Sequence, residues 1–422
     1  MNQIKIIHTA DWHADADPVK KEKLENSLNQ LYEFCKTNDV DVLLIAGDVW
    51  EKQQYYSANS GVHLVTRYLR LISKWVKFIF ITKGNNEHDR AGSISLLHQL
   101  EPNIYAYEYP VVLGVSLNGI RDNRITEPAL DLLRAEPACY DIDLIVSMIP
   151  YPTNQMFIEA DSIDNNNVEF VKQFEQIFEL MADTTEAYTC PKVLALHANV
   201  VGSRLSTGQT LVSQDIMVAP STIEKANHDY YAFGHIHIRQ FFKWYMGYSG
   251  SIYNKSWGET EQKSFELIVF NGKTGKDLLQ PKQVLLTAAK PMIKIEAEFF
   301  DGKVISDSVF ENQLEDAEVL DAEYRIRILV HENDRKSLTK ETVENLQAKF
   351  NDAKMEIITI PDKRESRSEE IMNCHSLLDE VIEYGKITNQ FVEPNPDNET
   401  QMILTAPVSE KVFKVQDGRE AI

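Results

Sequence analysis

Tyr230-Tyr231-Ala232-Phe233-Gly234-His235-Ile236-His237 is the stretch on which the reading of this chain turns. The aromatic, apolar run reads as a buried strand, closed by a glycine and followed by two histidines at alternate positions. The glycine lets the backbone turn sharply past the strand end without a Cβ clash. Two imidazoles one residue apart then reach two neighbouring points in one cleft. That suits a pair of metal ions, with one histidine for each. Alone, Gly-His-x-His is equally well read as two surface histidines after a strand, so the reading depends on whether the pattern repeats.

It repeats along the whole first part of the chain. Ile4-Lys5-Ile6-Ile7-His8 reads as a strand that runs into Thr9-Ala10-Asp11-Trp12-His13, a carboxylate and an imidazole at alternate positions. Val42-Leu43-Leu44-Ile45 is a buried strand ending in Gly47-Asp48. Sites in open α/β sheets form at that edge, and a carboxylate there can bridge two metals. A strand over residues 75–81 leads into Lys83-Gly84-Asn85-Asn86-Glu87-His88-Asp89. Asn85 offers a carbonyl oxygen, and His88 beside Asp89 reads as a general acid oriented by a carboxylate. Val193-Leu194-Ala195-Leu196 ends in His197. Each motif is weak by itself; as an ordered set, every one after a strand end, they are poorly explained by chance. The donors are oxygen and nitrogen, without thiolate, and few are anionic, so a bound metal pair stays electrophilic.

Around these motifs the periodicity predicts helices over residues 18–37, 59–74 and 170–181, and strands over 143–148 and 264–270. Residues 104–117 read as β-hairpin material, and residues 161–167 as a polar loop. Composition shifts near Thr287 to a small α+β module, with strands over 293–299, 324–330 and 355–360 and a helix over 340–350. A further helix is expected over 376–386. From Asn389 the sequence turns polar and reads as a tail or partner-binding segment. The predicted domains are therefore 1–286, 287–388 and 389–422, in keeping with a chain of 422 residues. The four cysteines show no paired spacing, which predicts reduced thiols in a cytosolic protein and argues against a disulfide framework or a zinc ribbon. No basic leader with an apolar core opens the chain, and no apolar run is long enough for a bilayer. The net charge of −21 excludes binding to a polyanion by bulk attraction.

The order Asp-x-His, Gly-Asp, Gly-Asn followed by His-Asp, His, Gly-His-x-His resembles the signature of the calcineurin-like metallophosphoesterases. The resemblance implies an α/β fold, a two-sheet metallophosphoesterase sandwich flanked by helices, with two divalent metal ions, Mn²⁺ foremost. It implies Asp11, His13 and His237 on the first metal, Asn85, His197 and His235 on the second, and Asp48 between them. Within that superfamily the chain is most similar to the SbcD/Mre-type nuclease subunits of DNA double-strand-break repair, bacterial or phage. Tyr248-Ser249-Gly250-Ser251 with Trp257-Gly258-Glu259, Pro291-Met292-Ile293-Lys294-Ile295, and Ser376-Leu377-Leu378-Asp379-Glu380 with Tyr384 carry this. The second of these segments opens what resembles that family's capping, DNA-facing α+β domain, and the third its closing helix.

This resemblance implies a DNA exonuclease and endonuclease acting at DNA ends. It also implies a homodimer working with an SMC-type coiled-coil ATPase subunit (SbcC-like), in the cytoplasm of a bacterial or phage-infected cell and away from membranes. With so acidic a chain, cations, a partner or local basic groups such as Arg121, Arg124, Arg325 and Arg327 must hold the DNA. A small-molecule or protein phosphoesterase on the same core, or a catalytically weakened scaffold subunit, are the competing expectations. Two departures touch the chemistry. The family's Gly-Asn-His-Asp is here interrupted by Asn86-Glu87. The histidine that the family carries shortly after Gly-Asp is missing from Val49-Trp50-Glu51-Lys52. If Glu51 takes that place, the site has lost a cationic donor near the scissile phosphate.

Overall fold

Strict alternation along the strands sorts the apolar side chains into three cores. Ile6, Val42, Leu44, Phe78 and Phe80 pack in a central core with residues of a second sheet: Leu113, Val146, Val193, Tyr230 and Ala232. Their sequence neighbours Ile7, Leu43, Ile45, Ile79 and Ile81 face the opposite way, under two helices. Leu194, Leu196, Tyr231 and Phe233 likewise turn outward onto a third core. Two sheets sharing one inner core and each covered on its outer face make the expected sandwich.

The computed structural model describes residues 3–52, 56–117, 120–121, 124–125, 129–131, 142–152, 166–206, 217–300, 303–305, 312, 322–341, 343–344, 354–360, 391–395, 398–406, 409–416 and 419–421. The first sheet has the strand order Lys282–Leu285, Ser264–Phe270, Ile4–Thr9, Val42–Ala46, Phe78–Thr82, Ile104–Tyr107. From Ile4–Thr9 onward its strands run parallel. The second sheet has the order Gln240–Lys243, Met246–Tyr248, Tyr230–Gly234, Lys192–His197, Leu144–Ile149, Val111–Val115, Ala129–Asp131, with a parallel centre. Parallel strands end on one side, so the motifs that follow them are gathered on one side.

The helix Pro18–Thr37 starts where Asp17 accepts the N–H groups of Val19 and Lys20 and proline takes the first turn. It buries Leu24, Leu28, Leu31 and Cys35 at helical spacing. The helix Gly61–Ile72 packs beside it on the same core. The helix Asn166–Thr185 buries Phe174, Phe178 and Met181 under the second sheet.

Residues 104–117 are no hairpin. Ile104–Tyr107 belongs to the first sheet and Val111–Val115 to the second. Tyr105, Val111, Leu113 and Val115 all reach the central core, and only a crossing between sheets lets both strands face it. The polar loop expected over 161–167 gives way to helix at Asn166, and its first part lies outside the described residues. The helix expected over 376–386 also lies outside them.

The chain divides into two compact units, Met1–Ile295 with Ser308–Ile326, and Glu296–Asp307 with Arg327–Ile422. Four strands, in the order Lys303–Ile305, Met292–Phe300, Glu323–His331, Lys354–Ile360, form the sheet predicted for the small module. The segment after Asn389, expected as a polar tail or partner-binding segment, carries an antiparallel sheet of Phe391–Asn395, Asn398–Ala406, Ser409–Gln416 and Arg419–Ala421. Among the arginines offered for phosphate contacts, Arg327 is taken up by Glu296 at 3.0 Å and Glu356 at 3.2 Å. Arg325 stacks over Trp257. The side chains of Arg121 and Arg124 lie outside what the structure describes.

Candidate metal centre

The loops after five parallel strands close over one cleft. Asp11 and His13 follow Ile4–Thr9, Asp48 follows Val42–Ala46, Asn85 follows Phe78–Thr82, His197 ends its own strand, and His235 and His237 follow Tyr230–Gly234. The backbone is strained where they sit. Asp11, His13, Asp48 and His235 all have positive φ, of 54°, 43°, 53° and 107°. Such conformations cost about 1–3 kcal/mol each and persist where the surroundings impose them. The surroundings here are backbone ties: Asp11 N–H donates to the Gly47 carbonyl and His13 N–H to the Asp48 carbonyl, both at 3.0 Å. His235 N–H donates to the Asp11 carboxylate at 3.0 Å.

Two glycines are required by space. A Cβ on Gly234 would stand 1.9 Å from the Ala46 carbonyl oxygen, and one on Gly84 2.0 Å from Asp48 Oδ1. Close approach, and no unusual φ, is therefore the reason for the glycine in the opening motif.

The candidate ligands fall into two buried clusters. Asp11, His13 and His237 present donor atoms within 4.8 Å of one another, and so do Asp48, His197 and His235. Asp48 reaches both: Oδ1 lies 3.4 Å from His197 Nε2 and Oδ2 lies 3.8 Å from His13 Nε2. His197 Nδ1 stands 2.7 Å from the Ala46 carbonyl oxygen and so keeps its proton there. Its buried Nε2 faces Asp48 Oδ1 at 3.4 Å, too far for a good hydrogen bond, and a proton or a cation has to lie between them. His13 Nδ1 faces Glu51 at 3.1 Å, which leaves Nε2 directed at His237 Nε2, 2.9 Å away. Lone pairs converging in this way need a proton or a cation between them. The donors, all oxygen and nitrogen, and the paired arrangement fit two divalent cations.

Electrostatics separates the clusters. Burial pushes His13 down to about 3 and holds His237 well below the imidazole range. Burial opposes charge on His197 too, but Asp48 beside it raises it to about 9, while Asp48 is held well below the usual carboxylate range against its own burial. Burial also raises Asp11 to about 7.

The remaining predicted residues divide. Asn85 is in the cleft, but its N–H and Nδ2 donate to Asp48 at 2.9 and 3.2 Å. Its Oδ1 accepts from the N–H groups of Glu87 and His88. In this arrangement it holds Asp48 and shapes the inserted turn; a ligand role for its oxygen needs the amide reversed. Asn86 is turned to Lys83. His88 points inward, Nε2 3.9 Å from Asp48 Oδ2. Its Nδ1 is oriented by the Glu51 carbonyl at 2.6 Å, not by Asp89.

Asp89 is not placed for catalysis. It is wholly buried and accepts the N–H groups of Gly84, Trp50 and Val49 at 2.7, 3.0 and 3.3 Å. It clamps the loop of Asp48 to the loop of Asn85. Two contributors carry no signal of their own, although Lys255 lies between Tyr248-Ser249-Gly250-Ser251 and Trp257-Gly258-Glu259. Lys255 pairs with Glu51 at 2.6 Å, and buried Lys263 reaches the His237 carbonyl at 3.2 Å. Cys35 and Cys190 are free and buried in the outer cores. No helix among the described residues is long and apolar enough to cross a membrane.

Residues 4–239 match the family model described as calcineurin-like phosphoesterase. The chain is 25% identical over 317 residues to the SbcD component of the nuclease SbcCD of Bacillus subtilis (strain 168), covering 70% of this chain and 72% of that protein. A solved crystal structure is matched over 68% of this chain and 100% of its own, at 12% identity and a TM-score of 0.35, too loose a likeness to argue from.

Proposed function

The chain belongs to the calcineurin-like phosphoesterase family, and we propose that within it the protein is a Mn²⁺-dependent DNA nuclease subunit that hydrolyses phosphodiester bonds at DNA ends. The observation that carries this is Asp48, whose two oxygens face one cluster each. Asp11, His13 and His237 would hold one divalent cation and His197 and His235 another, with Asp48 facing both groups. Such a pair would supply Lewis acidity to a phosphodiester and an acidic water. Asn85 keeps the bridging carboxylate in place.

His88 serves the leaving group. The Glu51 carbonyl commits its Nδ1 proton, so in the imidazolium form the Nε2 proton is the one it can hand to the departing oxygen. Its side chain is 22% exposed while His13 beside it is fully buried, so substrate reaches the site past His88.

The similarity to a nuclease component supports DNA as the substrate. The net charge of −21 supports a helper that holds the DNA, for which an SMC-type ATPase partner and a homodimer in the cytoplasm are the reading favoured here. The test compares linear duplex DNA with a chromogenic phosphodiester in Mn²⁺, with and without the ATPase subunit. Degradation of DNA from its ends is expected, and stronger with the partner. Hydrolysis of the small ester alone would leave a small-molecule phosphoesterase. No hydrolysis of either would leave a scaffold.

A further inference from the structure

Glu51 occupies the place where the sequence led us to expect a missing positive charge. Its carboxylate is surrounded by nitrogen: Lys255 Nζ at 2.6 Å, His13 Nδ1 at 3.1 Å and Lys20 Nζ at 3.5 Å. Lys255 arrives from 204 residues further along the chain. Its side chain is only 12% exposed, so the ammonium is kept near the first cluster and away from bulk water.

The loop that carries Lys255 is anchored on both sides of it. Asn254 Nδ2 donates to the carbonyls of Glu259 and Glu261 at 3.1 and 3.2 Å. Ser256 N–H donates to Glu259 Oε1 at 2.9 Å. Glu259 in turn pairs with Lys263 at 2.8 Å, and Lys263 holds the His237 carbonyl. Lys255 is thus tied through its own loop to one ligand of the first cluster and through Glu51 to another.

Among the described residues Glu51 takes one of the three ammonium N–H groups, and two remain. The way in lies on the same side: Glu51 is 18% and His88 22% exposed, against none for His13. A phosphodiester entering there meets Lys255 and His88 before the buried ligands. Lys20, the other cation nearby, is shared with Asp15 and is one-third exposed, so it offers less fixed geometry.

We propose that Lys255 binds the scissile phosphate at the first cluster, with Glu51 as the residue that positions it. The cation missing from the loop after Asp48 is thereby supplied from a distant part of the chain. This rests on the phosphoesterase reading of the site. The experiment uses Lys255→Met, Lys255→Arg and the neutral pair Glu51→Gln/Lys255→Met in the full chain loaded with Mn²⁺. It measures metal content, binding of inorganic phosphate by calorimetry, and hydrolysis of a chromogenic phosphodiester.

For Lys255→Met we expect unchanged manganese content, weaker phosphate binding and a loss of roughly a hundredfold in kcat/KM, with most of it restored by Lys255→Arg. Wild-type phosphate affinity and kcat/KM in Lys255→Met would overturn the proposal. So would a Lys255→Met protein that loses manganese and activity together while the neutral pair regains both, since Lys255 would then be only a counter-charge for Glu51. If the wild type hydrolyses nothing, the phosphoesterase reading fails by itself, and the phosphate titration still decides whether Lys255 is an anion site.

Discussion

In the first cluster the ring of His13 is steadied by a side chain; in the second the ring of His197 is steadied by the main chain. Glu51 faces His13 Nδ1, itself neutralised by Lys255, and Lys263 grips the carbonyl of His237. Across the cleft, His197 leans on the Ala46 carbonyl, and Asp48 takes the backbone N–H of Asn85. Main-chain supports come with the fold and cannot be substituted away; they fail when the backbone is displaced. Side-chain supports fail when a charge is removed. The two halves should therefore break under different mutations.

Asp48 is the one residue common to both halves, and its loss should have the largest effect. Asp48→Ala is expected to bring bound manganese from two equivalents to one or fewer and to lower phosphodiester hydrolysis by about a thousandfold or more. His197→Ala should lose only the second metal. Metal analysis after gel filtration checks both. Two equivalents retained in Asp48→Ala would mean that the clusters are independent and that no bridge exists.

A single methyl should disable the main-chain-held half. The Cβ of Gly84→Ala would lie 2.0 Å from Asp48 Oδ1 and 2.3 Å from its backbone nitrogen. Neither can yield without moving the bridging carboxylate, and a displacement near 1 Å costs roughly a hundredfold in rate. The expected protein is folded by circular dichroism, retains metal in the first cluster and is weak in the second. Full activity in Gly84→Ala would show that the second half tolerates displacement and that its rigidity is overstated.

Lys263→Met probes the other mode. The lysine is paired with Glu259 and Glu261 at 2.8 Å each and is 2% exposed. Its removal should weaken manganese binding in the first cluster by about tenfold to a hundredfold and leave the second unchanged. It also strips Glu259 of its buried partner, which costs on the order of 3–5 kcal/mol of stability, so metal titrations belong well below the unfolding midpoint. Equal weakening of both sites would erase the distinction between the halves.

The same contrast explains what could be read from the sequence. Clusters that follow strand ends were legible because strand periodicity and glycine are local signals; Asp11, His13 and His237 lie together, and so do Asp48, His197 and His235. The supports were not. Lys255 and Lys263 come from a loop whose pairing with Glu51 and His237 is decided only by tertiary structure. Asp89 misled because adjacency to His88 in sequence says nothing about where its carboxylate points, and three backbone N–H groups claim it. Residues 104–117 misled similarly: two short strands and a turn look alike whether they pair or part to opposite sheets.

Beneath both halves lies His8, a joint that uses each mode once and should affect activity least. Its ring sits between the sheets, Nδ1 3.0 Å from the Tyr230 hydroxyl and Nε2 3.1 Å from the Phe233 carbonyl oxygen. The carbonyl can only accept, so Nε2 carries the proton and Nδ1 accepts from Tyr230. A second proton would turn that hydroxyl contact into a conflict, and burial lowers the imidazole from 6.5 to about 3. The unfolded chain therefore binds a proton below pH 6.5 that the folded chain refuses. Stability contributed by neutral His8 is fully present above 6.5 and is lost as the pH falls toward 3, up to about 3 kcal/mol by pH 4. His228, lowered to about 4 by burial beside Ser147 and Ala226, acts in the same direction. Denaturant unfolding of metal-stripped protein between pH 7 and pH 4 should show a steeper loss in the wild type than in His8→Gln, which is less stable at pH 7 but flatter. Equal slopes would mean that His8 already titrates normally in the folded chain, and that the joint is looser than either half it carries.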